Sequence, residues 1–102
     1  MNITKTEEEN RITLKIEGWL DVATTPELHD YLEKLPETKE LYFDFSKLEY
    51  ISSAGVREVV ASYRRQKEHK GIFAVTDVNA DVYDVFDMTG LTKKIDIREE
   101  KV

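Results

Sequence analysis

The sequence predicts an α/β fold: a mixed β-sheet of about 4–5 strands with helices packed on it, in the order β-β-α-β-α-β-α-β. Three observations carry this expectation. Residues 11–17, RITLKIE, alternate apolar and polar side chains as a half-buried strand does. Residues 24–35 and 53–68 space their apolar side chains as amphipathic helices do. IFAV at 72–75 is apolar on both faces, as a central strand covered on two sides would be.

Taken in order, Ile3 stands between polar neighbours, so residues 2–6 are expected to form an edge strand paired with 11–17, the acidic EEEN making the turn. Leu28, Tyr31, Leu32 and Leu35 fall at i, i+3, i+4 and i+7; TTPE supplies a Thr cap with Pro26 at the first helical position, and Pro36 ends the helix. LYFDF at 41–45 alternates again, and SKLEY reads as the turn after it. Val56, Val59, Val60 and Tyr63 define the second helix, with Gly71 where a C-terminal cap is expected. Asn79 reads as the cap of a short third helix using Val82, Val85 and Phe86, and KKIDI after Gly90 reads as the last strand.

Composition bounds the function. The 102 residues suffice for one core, so residues 1–102 read as a single domain, without repeat or linker. No apolar run approaches the roughly 20 residues a membrane span needs, and MNITKTEEENR has neither the basic nor the apolar region of a secretory signal. Without cysteine there is no disulfide framework, thiolate metal site or cysteine nucleophile, and a cytoplasmic location fits. The formal charge of −6 opposes attraction to a polyanion, so nucleic acid is a poor partner. Residues 1–51 hold 6 basic and 12 acidic side chains and residues 52–102 hold 9 of each, so the first half carries the whole net charge.

Catalytic machinery is not visible. His29 and His69 lie off the apolar stripes without a metal or triad spacing and read as surface residues, and the four scattered glycines form no phosphate loop. Asp44 reads as the solvent-facing or strand-end member of its alternation, and the basic cluster Arg64, Arg65, Lys67, His69 and Lys70 as charge complementing a helix C-terminus. The informative stretch is YISSAGVREVV, residues 50–60, where Ser52-Ser53-Ala54-Gly55 runs directly into a helix. Hydroxyls there are caps for unpaired N–H groups; a phosphate on one would face the same amides and the positive end of the helix dipole. Arg57, one turn after Ser53, could offer a guanidinium to that phosphate or to an acidic group of a partner.

At this junction the chain resembles the STAS-domain anti-sigma factor antagonists. Gly18-Trp19-Leu20-Asp21 is similar to the family's G-x-L-D, Asp44-Phe45-Ser46 with Tyr50-Ile51 to its D-x-S-x-x-x-x-[YF]-[IM], and Ser53-Ala54-Gly55 to its [ST]-[SA]-G turn. Phe86-Asp87-Met88-Thr89-Gly90-Leu91 is similar to its F-x-x-[ST]-G-L. The resemblance covers residues 3 to 98 and implies a STAS-like fold. It implies a protein that binds an anti-sigma factor serine/threonine kinase to release a sigma factor, and that loses this binding when the kinase phosphorylates the serine before [SA]-G. That serine is Ser53, ahead of Ser52, which stands where many members carry Asp; many members also carry Gly in place of Arg57. The implied partner-binding residues are Asp21, Ser52, Ser53, Ala54, Gly55 and Arg57. A phosphatase would reverse the modification. The chain is then expected to be a kinase substrate and not an enzyme, with no cofactor or metal, no membrane insertion, and a monomeric free state. The competing reading is a STAS binding subunit of a transporter ATPase or signalling complex that is never phosphorylated.

Overall fold

The computed structural model describes residues 1–100; residues 101 and 102, the end of the expected domain, lie outside the described residues. The strands are β1 (Asn2–Glu8), β2 (Arg11–Leu20), β3 (Glu40–Asp44), β4 (Leu48–Ile51), β5 (Ile72–Thr76) and β6 (Asp96–Ile97). The helices are α1 (Thr25–Glu33), α2 (Ser53–Glu68) and α3 (Ala80–Met88), with a short 3₁₀ turn at Leu91–Lys93. The sheet runs β1-β2-β3-β5-β6, with β4 beside β2; β1 is antiparallel to β2 and the remaining pairs are parallel.

Register explains the core. Ile12 and Leu14 of β2 lie beside Leu41 and Phe43 of β3, which lie beside Phe73 and Val75 of β5, with Ile97 of β6 next to Val75. Period-two alternation thus collects one apolar face. The helices put Leu28 and Leu32, Val56 and Val59, and Val82 and Phe86 into the same buried cluster. The reverse face carries Thr13, Lys15, Tyr42 and Asp44, where Tyr42 is buried beneath the Arg11 guanidinium, 4.9 Å from its ring centre.

Five expectations are corrected. Part of SKLEY is not a turn but β4, which adds a sixth strand. Its burial runs in, out, out, in, because Leu48 and Ile51 enter the core while Glu49 and Tyr50 face solvent, so no alternation announces it. Thr24 does not cap α1 through its side chain, and α1 stops at Glu33, three residues before Pro36. Gly71 is not the left-handed residue after α2: Lys70 takes that conformation at φ 59°, while Lys70 and Gly71 N–H groups donate to the Lys67 and Gln66 carbonyls as in a Schellman cap. Glycine at 71 answers crowding instead, because a Cβ there would meet Gln66 Nε2 at 2.5 Å. Finally, two-sided burial of β5 holds from Phe73 to Thr76 and fails at Ile72, which is exposed at the strand's outer end. The KKIDI strand is shortened to Asp96–Ile97.

Candidate functional site

β2 is one strand with two successive neighbours. Its first half pairs with β3 and its last residues, Gly18 to Leu20, pair with β4 across a register shift at Gly18/Trp19. Gly18 sits at φ +97°, a backbone state that side chains disfavour, and its N–H donates to Lys47 O at 3.0 Å. This bulge turns the end of β2 toward β4. Leu20 then pairs with Ile51, and Ser52 N–H donates to Leu20 O at 2.9 Å, so the residues that follow, Asp21 and Ser52, leave the sheet side by side.

Asp21 organises its own turn. Its Oδ1 accepts from the backbone N–H groups of Ala23 and Thr24, each at 3.0 Å, and lies 3.0 Å from Thr24 Oγ1. The Thr24 hydroxyl in turn accepts from Asp21 N–H at 2.9 Å and donates to Trp19 O at 2.7 Å. The Thr24 N–H and the Thr24 hydroxyl beside it, and then the Ala23 N–H, hold the Asp21 carboxyl below the usual carboxylate range. Asp21 thus fixes the turn ahead of α1, whose N-cap residue Thr24 makes no side-chain cap bond.

The two serines have separate roles in the geometry. Ser52 is the N-cap of α2, extended at ψ 175°, and its Oγ accepts from Gly55 N–H at 3.4 Å. Ser53 is the first residue of α2 and is exposed. Gly55 explains why the helix can begin here at all. A Cβ at that position would stand 2.7 Å from Ile51 Cγ1 and 2.9 Å from Leu20 O, so only glycine lets α2 rest on the ends of β2 and β4. Arg57 lies one turn beyond Ser53, exposed, with no carboxylate partner among the described residues. The fold thus brings Asp21, Ser52, Ser53, Ala54, Gly55 and Arg57 to one end of the molecule.

The reading from sequence passed over two neighbours of this site. Trp19 and Tyr50 are cross-strand partners whose ring centres are 5.2 Å apart, and both are exposed. Their signal in the sequence is the placement of each two residues before a site residue, Asp21 and Ser52.

The remaining candidates fall elsewhere. Asp44 ends β3 and accepts from Ser46 N–H at 2.9 Å, the strand-end role expected of it. His29 is on the surface as expected, but it is bonded to Glu33 at 2.7 Å and to Glu58 of α2 at 3.0 Å. Of the basic cluster, Arg65 faces Glu58, His69 faces Glu37, and Lys67 lies over Tyr63. No group of three or more His, Cys, Asp or Glu side chains able to hold a metal occurs among the described residues. None of the helices among them is long and apolar enough to cross a membrane.

A mixed sheet with helices in one core, ending in a serine-headed helix and an exposed aromatic pair, defines a small α/β domain. The comparisons place it more narrowly. The family described as "Mlab, STAS domain" matches residues 3–99, and the chain belongs to the STAS-domain family. It is similar to the anti-sigma-B factor antagonist of Bacillus subtilis, 29% identical over 95% of this chain and 90% of that protein. The anti-sigma-B factor antagonist of Staphylococcus aureus is 25% identical over 97% and 94%. Among solved structures, an anti-sigma factor antagonist from Mycobacterium paratuberculosis superposes with a TM-score of 0.86 at 20% identity, covering 95% of this chain and 84% of that one. The anti-sigma factor antagonist SpoIIAA in its unphosphorylated form gives 0.81 at 16% identity, covering 94% and 87%. SpoIIAA in its phosphorylated form gives 0.75 at 15% identity, covering 94% and 90%.

Proposed function

We propose that this chain is an anti-sigma factor antagonist whose partner is an anti-sigma factor serine kinase, and that phosphorylation of Ser53 by that kinase releases the partner. The observation that carries the reading is the division of labour between the serines: Ser52 is spent on the N-cap, while Ser53 presents its hydroxyl to solvent at the head of α2. The names of the curated relatives and the two forms of SpoIIAA support it.

The switch follows from elementary electrostatics. Neutral Ser53 is a small group that a partner can cover. A phosphate adds about −1.5 to −2 charge and solvated oxygens that must be paired or kept wet. Within the chain, the amides at the start of α2 and the Arg57 guanidinium tolerate that charge, so the fold survives the modification. Against a closely packed partner the same charge is costly, and each 1.4 kcal/mol lost is about tenfold in affinity. The Asp21 carboxylate, just past the end of β2 as Ser52 is just past the end of β4, adds like-charge repulsion. A phosphatase restores the binding form.

Mass mapping after incubation with host lysate and ATP tests the reading. One phosphate is expected on the wild type and on Ser52→Ala, and none on Ser53→Ala. Absence of phosphate from all three proteins in an active lysate would favour the STAS subunit that is never modified.

A further inference from the structure

Of the ten aromatic side chains, only Trp19 and Tyr50 are exposed among the described residues, at 54% and 46%. Isolated exposed apolar residues need no explanation, but these two form a fixed unit. Their rings tilt at 44° with centres 5.2 Å apart, the indole N–H donates to Glu49 Oε2 at 3.2 Å, and the Trp19 carbonyl is held by Thr24 Oγ1 at 2.7 Å. Little rotamer freedom is left to lose on binding, which is the property of an anchor residue. Val22, exposed at 74% in the adjoining turn, extends the apolar surface.

The pair is continuous with the site. Trp19 leads through Leu20 to Asp21 and Tyr50 through Ile51 to Ser52, and the strands pair Trp19 with Tyr50 and Leu20 with Ile51. The charge around it selects the occupant. Asp21 and Glu49 flank the rings, and the first half of the chain carries all of the net charge of −6. A second copy meeting this face about a two-fold axis would set these carboxylates against themselves, and an anionic lipid surface would be repelled. A protein surface with an apolar pocket rimmed by Lys or Arg fits.

We propose that Trp19 and Tyr50 are the apolar anchor of the partner interface, docking in an apolar pocket of the anti-sigma factor whose basic rim pairs with Asp21 and Glu49. This rests on the reading of the chain as an anti-sigma factor antagonist and adds to it the residues that supply affinity, as distinct from the serine that switches it.

Trp19 is the one tryptophan in the sequence, so its emission reports directly on the contact. The probe is the purified anti-sigma factor kinase of the chain's own host, without nucleotide hydrolysis, titrated into the unphosphorylated protein. The Trp19 emission is expected to shift to the blue and saturate. Calorimetry is expected to give a loss of about 30-fold or more in affinity for Trp19→Ala and for Tyr50→Ala. Trp19→Phe should retain most of the affinity. Ile72→Ala, at the opposite end of the parallel strands, should leave it unchanged. Far-UV circular dichroism and a urea midpoint confirm that each variant is folded. Wild type and Trp19→Ala binding alike would overturn the anchor while leaving the proposed function standing. Failure of the wild type to bind would overturn that reading and the anchor with it. A concentration-dependent blue shift of the protein alone, with dimer in sedimentation, would assign the face to a second copy and overturn the proposal.

Discussion

Where β2, β3 and β5 begin, polar side chains are bonded inside the molecule: Gln66 Nε2 donates to Thr38 O and Ile72 O, each at 3.1 Å, and Glu40 accepts from the Tyr42 hydroxyl and from Arg11. Where β2 and β4 stop, Ser53, Arg57 and the Trp19–Tyr50 pair face outward while Asp21 and Ser52 shape the turns that carry them. The first end closes the fold and the second presents a surface. Stability and recognition therefore respond to different residues, although one sheet joins them, and substitutions at the two ends can separate the two properties.

The largest effect is expected where the ends of the strands support the exposed site. Gly55→Val forces a side chain into Ile51 and the Leu20 carbonyl, and should cost about 3 kcal/mol in urea unfolding. At the closed end, Gln66→Leu removes the donor for the Thr38 and Ile72 carbonyls; a loss of about 2 kcal/mol is expected by the same measurement, with partner affinity unchanged. Lys70→Gly relieves a side chain from left-handed backbone and should raise stability by about 1 kcal/mol, seen as a higher thermal midpoint.

The smallest effect concerns the α1–α2 contact. Glu58, through its bond to Nδ1 and its charge, and then Glu33, hold the His29 pKa above its ordinary value. The protonated imidazolium can donate to both carboxylates. Because the folded-state pKa is raised, this contribution is fully present below the unfolded pKa of about 6.5 and is lost as pH rises through the folded value. The stability difference between wild type and His29→Gln should therefore be larger at about pH 6 than at about pH 9 in parallel denaturation curves. An equal difference at both would show that the contact is indifferent to the proton.

Much of this was legible in the sequence because local and tertiary demands coincide there. The alternation of Ile12, Leu14 and Ile16 is the buried face of β2, the stripe of Val56 and Val59 is the buried face of α2, and the Asn79 side chain does accept from Val82 N–H at 2.8 Å. The cap at the head of α2 was legible for the same reason: Ser52 accepts from Gly55 N–H, and capping chemistry is local. What escaped depends on contacts between distant segments. β4 is four residues long and owes its existence to the turned end of β2. The exposure of Trp19 and Tyr50 follows from that pairing, and the bond between His29 and Glu58 joins residues of two helices. Gly71 looked like the left-handed residue because glycine tolerates that state, yet the crowding around Gln66 gives it a different reason to be there.

Partner affinity and unfolding stability measured on the same two variants, Ser53→Asp and Gln66→Leu, against the wild type decide whether recognition and stability reside at opposite ends of the sheet. Ser53→Asp is expected to lose about 100-fold or more in affinity for the host anti-sigma factor kinase with its urea midpoint unchanged, and Gln66→Leu to lose stability with its affinity unchanged. Full affinity in Ser53→Asp, or affinity falling in both variants in step with stability, would contradict that separation.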